Sequence, residues 1–170
     1  MIERCTDRES GEICAVINDA AEAYRGVIPA DRWHEPYMAL EELRREIEAG
    51  VAFWGYYESR RLLGVMGLQP VADVELIRHA YTRSSCQGRG VGSALLEHLT
   101  SGRQKPILVG TWKAAAWAIR FYERRGFTLV GEIEKAELLR RYWTIPERQI
   151  EESVVLSAPP GASPSLGSGP

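Results

Sequence analysis

The chain has 170 residues, with 21 Lys and Arg against 23 Asp and Glu and 45% hydrophobic residues, enough for one soluble domain with a sizeable core. A formal net charge of −2 supplies no general attraction for polyanions, which excludes a dedicated binder of nucleic acid or anionic membrane. Cys5, Cys14 and Cys86 are odd in number and share no CxxC spacing, which speaks against a disulfide framework and a zinc site, so no metal is expected.

Met1–Ser10 alternates apolar and charged residues and lacks the apolar run of a signal peptide. The longest charge-free apolar stretch, Leu62–Ala72, is too short to span a bilayer, so the chain reads as cytoplasmic. Ile2–Cys5 reads as a short strand. Thr6 and Glu9 have the spacing of a capping box, and Ile13, Val16, Ile17 and Ala20 then recur at helical period. Tyr24–Met38 has no period and carries Tyr24, Trp33 and Tyr37 with a Gly and two Pro, which predicts a loop. Leu40, Leu43 and Ile47 mark a second helix, closed by Gly50. The period then falls to two, and Val51–Glu58, Arg61–Gln69 and Val74–Arg83 read as an antiparallel meander.

Val91, Leu95, Leu96 and Leu99 restore the helical period, and Gly102 ends it. Pro106–Trp112 is a short branched apolar run suited to a buried strand. A helix over Ala114–Arg125, stopped by Gly126, precedes strands near Phe127–Ile133 and Gln149–Leu156. From Ser157 to Pro170, eleven of fourteen residues are Pro, Gly or Ser and none is charged, so this segment reads as a flexible tail. The expectation is therefore one α/β domain over 1–156 and a tail over 157–170, with a right-handed helical crossover between two parallel strands.

The most informative stretch is Cys86-Gln87-Gly88-Arg89-Gly90-Val91-Gly92-Ser93, between a strand and a helix. Glycines at alternate positions let the backbone approach a ligand, and the following helix begins with unpaired N–H groups and a positive dipole end, so an anion suits it. The Rossmann fingerprint fails, since the sixth residue from Gly88 is Ser93 and from Gly90 is Leu95, and no Walker A sequence occurs. The same glycines would also serve a turn that only packs a helix tightly on a strand. Arg83 and Arg89 are the only charges between Thr82 and Ser93, which makes the loop locally basic in a near-neutral chain.

Gln87-x-x-Gly90-x-Gly92 after a strand, together with Tyr122-Glu123-Arg124-Arg125-Gly126-Phe127, resembles the GNAT superfamily of acyl-CoA-dependent N-acyltransferases. The resemblance covers roughly residues 2–156. It implies a mixed, mostly antiparallel sheet of about seven strands, with parallel strands four and five splayed apart, flanked by about four helices. It further implies acetyl-CoA as co-substrate, with its pantetheine arm paired to backbone groups of Ala80, Tyr81 and Thr82. The pyrophosphate would rest on amides from Gly88 to Ser93, including Val91 and Gly92, after Gln87, with Arg89 and the Ser93 hydroxyl as added contacts.

The chemistry so implied is direct attack of a neutral amine on the thioester. Tyr122 matches the family's proton donor to the leaving thiolate, although a core aromatic at helical spacing would look the same. The oxyanion donor would be a backbone N–H around Ala80 to Thr82. The base is where the sequence departs from the pattern: Ala115 stands where many members place Asn, and Gly110 where some place Glu. Glu75 and His79 remain as base candidates, on one strand face by alternation unless a bulge changes parity. His79 has the better intrinsic pKa, and an ordinary polar strand residue is the competing identity for each. The acceptor pocket would be built by residues 24–38 and 136–147, with Tyr24, Trp33, Tyr37 and Trp143 as candidates and Trp112 near the acyl end, although loop packing or an oligomer contact would also use such aromatics. The acceptor is the amine of a small molecule or a peptide, and a homodimer is compatible with the resemblance. A non-catalytic CoA-binding module is the competing reading.

Overall fold

The computed structural model describes residues 1–160, so residues 161–170 of the expected tail lie outside the described residues. The strands are β1 (Ile2–Arg4), β2 (Ala52–Glu58), β3 (Arg61–Val71), β4 (Val74–Thr82), β5 (Ile107–Trp112), β6 (Thr128–Leu129) and β7 (Ser153–Ala158). They form one seven-stranded mixed sheet in the order β1-β2-β3-β4-β5-β7-β6, with β4 and β5 parallel. The helices are α1 (Ser10–Ala21), α2 (Leu40–Glu48), α3 (Val91–Thr100), α4 (Ala116–Glu123), α5 (Glu132–Tyr142) and α6 (Glu147–Glu151). Among the described residues no helix is long and apolar enough to cross a membrane.

The chain divides into two compact units. The first comprises residues 1–70 and 77–99. Its N-terminal helix starts as expected: the Thr6 backbone N–H donates to Glu9 at 2.7 Å, and one 3-10 turn leads into α1. Ile13, Val16 and Ile17 of α1 and Leu43 of α2 pack with Phe53, Leu62 and Val65 of β2 and β3 into one core. β2 pairs antiparallel with β1 and β3, and the β2–β3 turn has Ser59 and Arg60 at φ 48° and 65°. Two positive φ values in a two-residue turn match the right-handed twist of the flanking strands.

Gly64 of β3 has a packing reason. A Cβ there would lie 2.6 Å from Val91 Cγ1 and 3.2 Å from both Thr82 Oγ1 and the Tyr81 carbonyl oxygen. The missing side chain lets the end of β4 and the first residue of α3 lie close against β3.

The second unit comprises residues 71–76 and everything described from Thr100 onward. β5 and β7 pair antiparallel from Ile107↔Ala158 to Trp112↔Ser153, and β6 pairs with β7 through Thr128↔Ser157 and Leu129↔Leu156. At the start of β4, the Glu75 N–H donates to the Pro106 carbonyl at 3.0 Å. Val74, Leu76, Leu108, Leu139, Tyr142, Ile150 and Val155 form this unit's core.

Four expectations are corrected in this unit. The strand near Phe127–Ile133 is only the two residues of β6, because the chain enters α5 at Glu132. Residues 136–147, expected as a pocket-forming turn, are mostly helical, and Gln149–Glu151 belong to α6 and not to the last strand. Ser157 and Ala158, assigned to the tail by composition, complete β7, where ladder hydrogen bonds outweigh their weak strand preference.

Candidate active site

In the first unit, β4 ends at Thr82 and the Arg83 N–H donates to the Leu63 carbonyl at 2.8 Å, so the strand stays paired until the loop begins. The Ser84 backbone N–H donates to Asp19 of α1 at 2.7 Å, and the Ser84 hydroxyl bonds the same carboxylate at 3.2 Å. One 3-10 turn, Ser84–Cys86, then leads to Gln87, Gly88, Arg89 and Gly90 before α3 opens at Val91. Gly88 and Gly90 have φ 77° and 81°, a conformation that requires glycine, and a Cβ at either would meet no atom within 4 Å. The loop is therefore open on the side its side chains would occupy. Gly92 and Ser93 lie in the first turn of α3.

The loop's two cations already have partners. Arg83 Nε donates to the Leu62 carbonyl at 2.8 Å. Arg89 forks onto both oxygens of Glu58 at 2.9 and 3.0 Å, which offsets the positive charge read from the loop sequence alone.

The aromatic residues after α1 converge on β4. Tyr24 stacks on Tyr37 at 5.9 Å between centroids, Trp33 lies 5.5 Å from Tyr37, and Tyr24 meets Tyr81 of β4 edge-on at 6.2 Å. The Arg25 guanidinium sits 4.5 Å over the Trp33 ring and bridges Glu22 and Glu35. Glu22 and Glu35 are held below the usual carboxylate range, Glu22 by its hydrogen bond from Arg25, and Glu35 by hydrogen bonds from the Trp33 indole and Arg25.

His79 has φ 51° within β4, so strict alternation breaks there. Its Nε2 hydrogen-bonds Glu46 of α2, and its ring stacks beside Phe53 at 6.1 Å. Glu46 also lies 3.4 Å from Arg78, which donates to Gln69 at 2.9 Å. Burial raises the Glu46 carboxyl, but the hydrogen bond from His79 and the charges of His79 and Arg78 outweigh it and hold the group below its usual value. No sequence signal marks Glu46, which lies 33 positions from His79 and fits the polar pattern of α2.

In the second unit, Glu75 is buried and accepts a hydrogen bond from Arg103 at 3.0 Å. It is a charge-paired residue of β4 whose partner differs from that of His79. Tyr122 is 4% exposed, near the end of α4, with its ring edge-on to Phe121 at 5.0 Å and to Phe127 at 5.5 Å. The Phe127 N–H donates to the Tyr122 carbonyl at 3.2 Å, closing the helix at Gly126. Ala115, at the position of the family's Asn, is fully buried and caps α4 through its backbone. A Cβ at Gly110 would lie 3.4 Å from the Trp143 indole, so Trp143 occupies the space beside that position. Trp112 closes β5. Among the described residues no cluster of three His, Cys, Asp or Glu could hold a metal ion.

The sequence matches the family described as Acetyltransferase (GNAT) domain over residues 16–140. No curated protein sequence matches it. Solved structures share its fold. PaiA N-acetyltransferase from Thermoplasma acidophilum, crystallised with coenzyme A, is 14% identical with a TM-score of 0.67, covering 94% of this chain and 98% of that one. An acetyltransferase from Streptococcus agalactiae is 16% identical with a TM-score of 0.68, covering 94% and 97%. The ribosomal-protein-S18-alanine N-acetyltransferase of Escherichia coli is 14% identical with a TM-score of 0.64, covering 98% and 97%.

Proposed function

Because the chain belongs to the GNAT acetyltransferase family, a family of acetyl-CoA-dependent acyltransferases, we propose that it transfers an acetyl group to a primary amine of a small molecule or peptide, by direct attack in a ternary complex. The observation that carries this reading is the loop before α3, where two left-handed glycines leave the backbone open at a helix N-terminus. Such a loop fits a diphosphate by close backbone approach and by the dipole of a ten-residue helix. Bound acetyl-CoA supplies an acetyl group already activated as a thioester.

The chain's own residues divide the remaining work. Backbone amides from Gly88 to Ser93 hold the pyrophosphate, and Arg89 joins them by leaving Glu58. Ala80, Tyr81 and Thr82 orient the pantetheine arm, and a backbone N–H among them stabilises charge on the thioester oxygen. Tyr122 gives its phenolic proton to the leaving sulfur. Tyr24 meets Tyr81, Tyr37 stacks on Tyr24 and Trp33 packs on Tyr37, and the three form an apolar wall for the carbon body of the amine.

The test is acetyl-CoA turnover by wild type and Tyr122→Phe on a panel of tyramine, spermidine, free amino acids, an aminoglycoside and short peptides. Tyr122→Phe should keep CoA affinity and slow turnover by about 10²-fold, as loss of a general acid does. Unchanged turnover removes Tyr122 from the mechanism. The buried Ala115 and the Trp143-facing Gly110 favour one competing reading, a CoA-binding module without catalysis, which CoA binding with no transfer to any amine would support.

A further inference from the structure

We propose that Glu46 is a positioning residue for His79: its carboxylate takes the Nε2–H of the imidazole and leaves the Nδ1 lone pair to accept the proton of the incoming ammonium. The inference rests on the acetyl-transfer reading above. The carboxylate that meets Nε2 also lies 3.4 Å from the Arg78 guanidinium, so its oxygen is the acceptor and the ring nitrogen facing it carries the hydrogen. That fixes the neutral tautomer and makes Nδ1 the basic atom.

The surroundings hold this pair in one arrangement. The His79 and Glu46 side chains are only 15% and 20% exposed. The groups facing them are Arg78, 3.4 Å from Glu46, and the flat face of Phe53, while Gln69 of β3 holds Arg78 in place. A solvent-facing strand histidine would need none of this. The left-handed φ of His79 is a backbone cost for a residue with a Cβ, and it accompanies an imidazole turned toward α2 instead of water. Two residues on, Tyr81 meets the Tyr24 ring. Tyr81 thus reaches the segment read as the acceptor wall, and His79, two residues before it, reaches α2, the helix that follows that segment.

The proton accounting closes without another reactant. The ammonium gives one proton to Nδ1, and the imidazolium formed is stabilised by Glu46. The freed nitrogen lone pair forms the N–C bond to the thioester carbonyl carbon. The C–S bond breaks with its electron pair on sulfur, which takes the Tyr122 proton. The second nitrogen proton restores Tyr122 through solvent, and His79 returns its proton to water.

The experiment uses the full chain labelled with 15N, at a pH of about 9 where ordinary imidazoles are neutral. Long-range 1H–15N spectra distinguish the tautomers of its three histidines, and His79→Asn, which tolerates a left-handed φ, assigns the signal. Wild type should show the Nε2–H tautomer. In Glu46→Gln, whose amide can donate or accept, the preference should relax to a mixture, and kcat with the best amine of the panel should fall about tenfold at unchanged KM for acetyl-CoA. Glu46→Asp keeps a carboxylate and should recover part of kcat and the tautomer, which also covers a Gln variant that folds poorly. An Nδ1–H tautomer in an active wild-type enzyme overturns the pair alone, as does a relaxed tautomer with kcat unchanged. The Nε2–H tautomer in a protein that acetylates no amine overturns the acetyl-transfer reading and the base role with it.

Discussion

Arg89 and Gly90 sit side by side in the loop and constrain it in different ways. In the Arg89–Glu58 pair one nitrogen, Nη2, serves both carboxylate oxygens, and both side chains are about half exposed, so water and salt weaken it. A diphosphate offers more charge than one carboxylate and should capture Arg89 from it. Glu58→Gln removes the competitor, and CoA affinity should rise severalfold in low salt and converge with wild type in high salt, measured by titration calorimetry at two ionic strengths. Equal affinity at low salt would show that Glu58 does not compete. Gly90 is limited by φ and not by crowding, since a Cβ there meets no atom. Gly90→Val should therefore cost only about 1–2 kcal/mol of stability while abolishing CoA binding, because the new side chain stands where the ligand approaches the backbone. Retained CoA affinity would remove the loop from the cofactor site.

Elements that bury an apolar stripe were legible in the sequence, and those that bury something else were not. α1 follows Ile13, Val16 and Ile17 and β2 alternates buried with part-exposed residues, while β3 lies at its expected position although it is buried without a break from Leu62 to Leu68. α5 hid because its buried residues, Lys135, Leu139 and Tyr142, have helical spacing but only one is aliphatic, while its apolar Ile133 is 80% exposed. A better signal was charge: Glu132 and Glu134 in the first turn and Arg140 and Arg141 in the last match the helix dipole. The aromatic convergence on Tyr81 was legible as a cluster of residue types in an aperiodic segment. The Glu46–His79 pair was not, because it joins a helix to a strand far along the chain and neither residue type breaks its local sequence pattern. β3 carries a testable constraint of its own. Gly64→Ala should lose about 1–3 kcal/mol in chemical denaturation, because the Cβ would lie 2.6 Å from Val91 and face the Tyr81 carbonyl. Gly11→Ala, in α1 with nothing within 4 Å, should instead be neutral or gain up to about 1 kcal/mol. Equal effects would mean that β3 does not depend on close approach at Gly64.

The near-zero net charge and the length read as uniform properties of the chain, and the structure divides both. Charge is spent on local pairs: Arg89 with Glu58 and Arg78 with Glu46 in the first unit, Arg103 with Glu75 and Lys135 with Glu132 in the second. Length is divided between two units, each with its own core and each made of two separate stretches of chain. Residues 71–76 belong to the second unit although they are flanked on both sides by the first, so β4 begins in one unit and ends in the other. This interlacing has a consequence for biosynthesis. A ribosome extends the chain from the N-terminus, so the first unit has all its residues once Leu99 has emerged. The second unit receives its first six residues early but must wait for β7, some sixty residues later, before β5 and β6 have the strand with which they pair. The loop read as the cofactor cradle thus belongs to the half of the protein that is completed first.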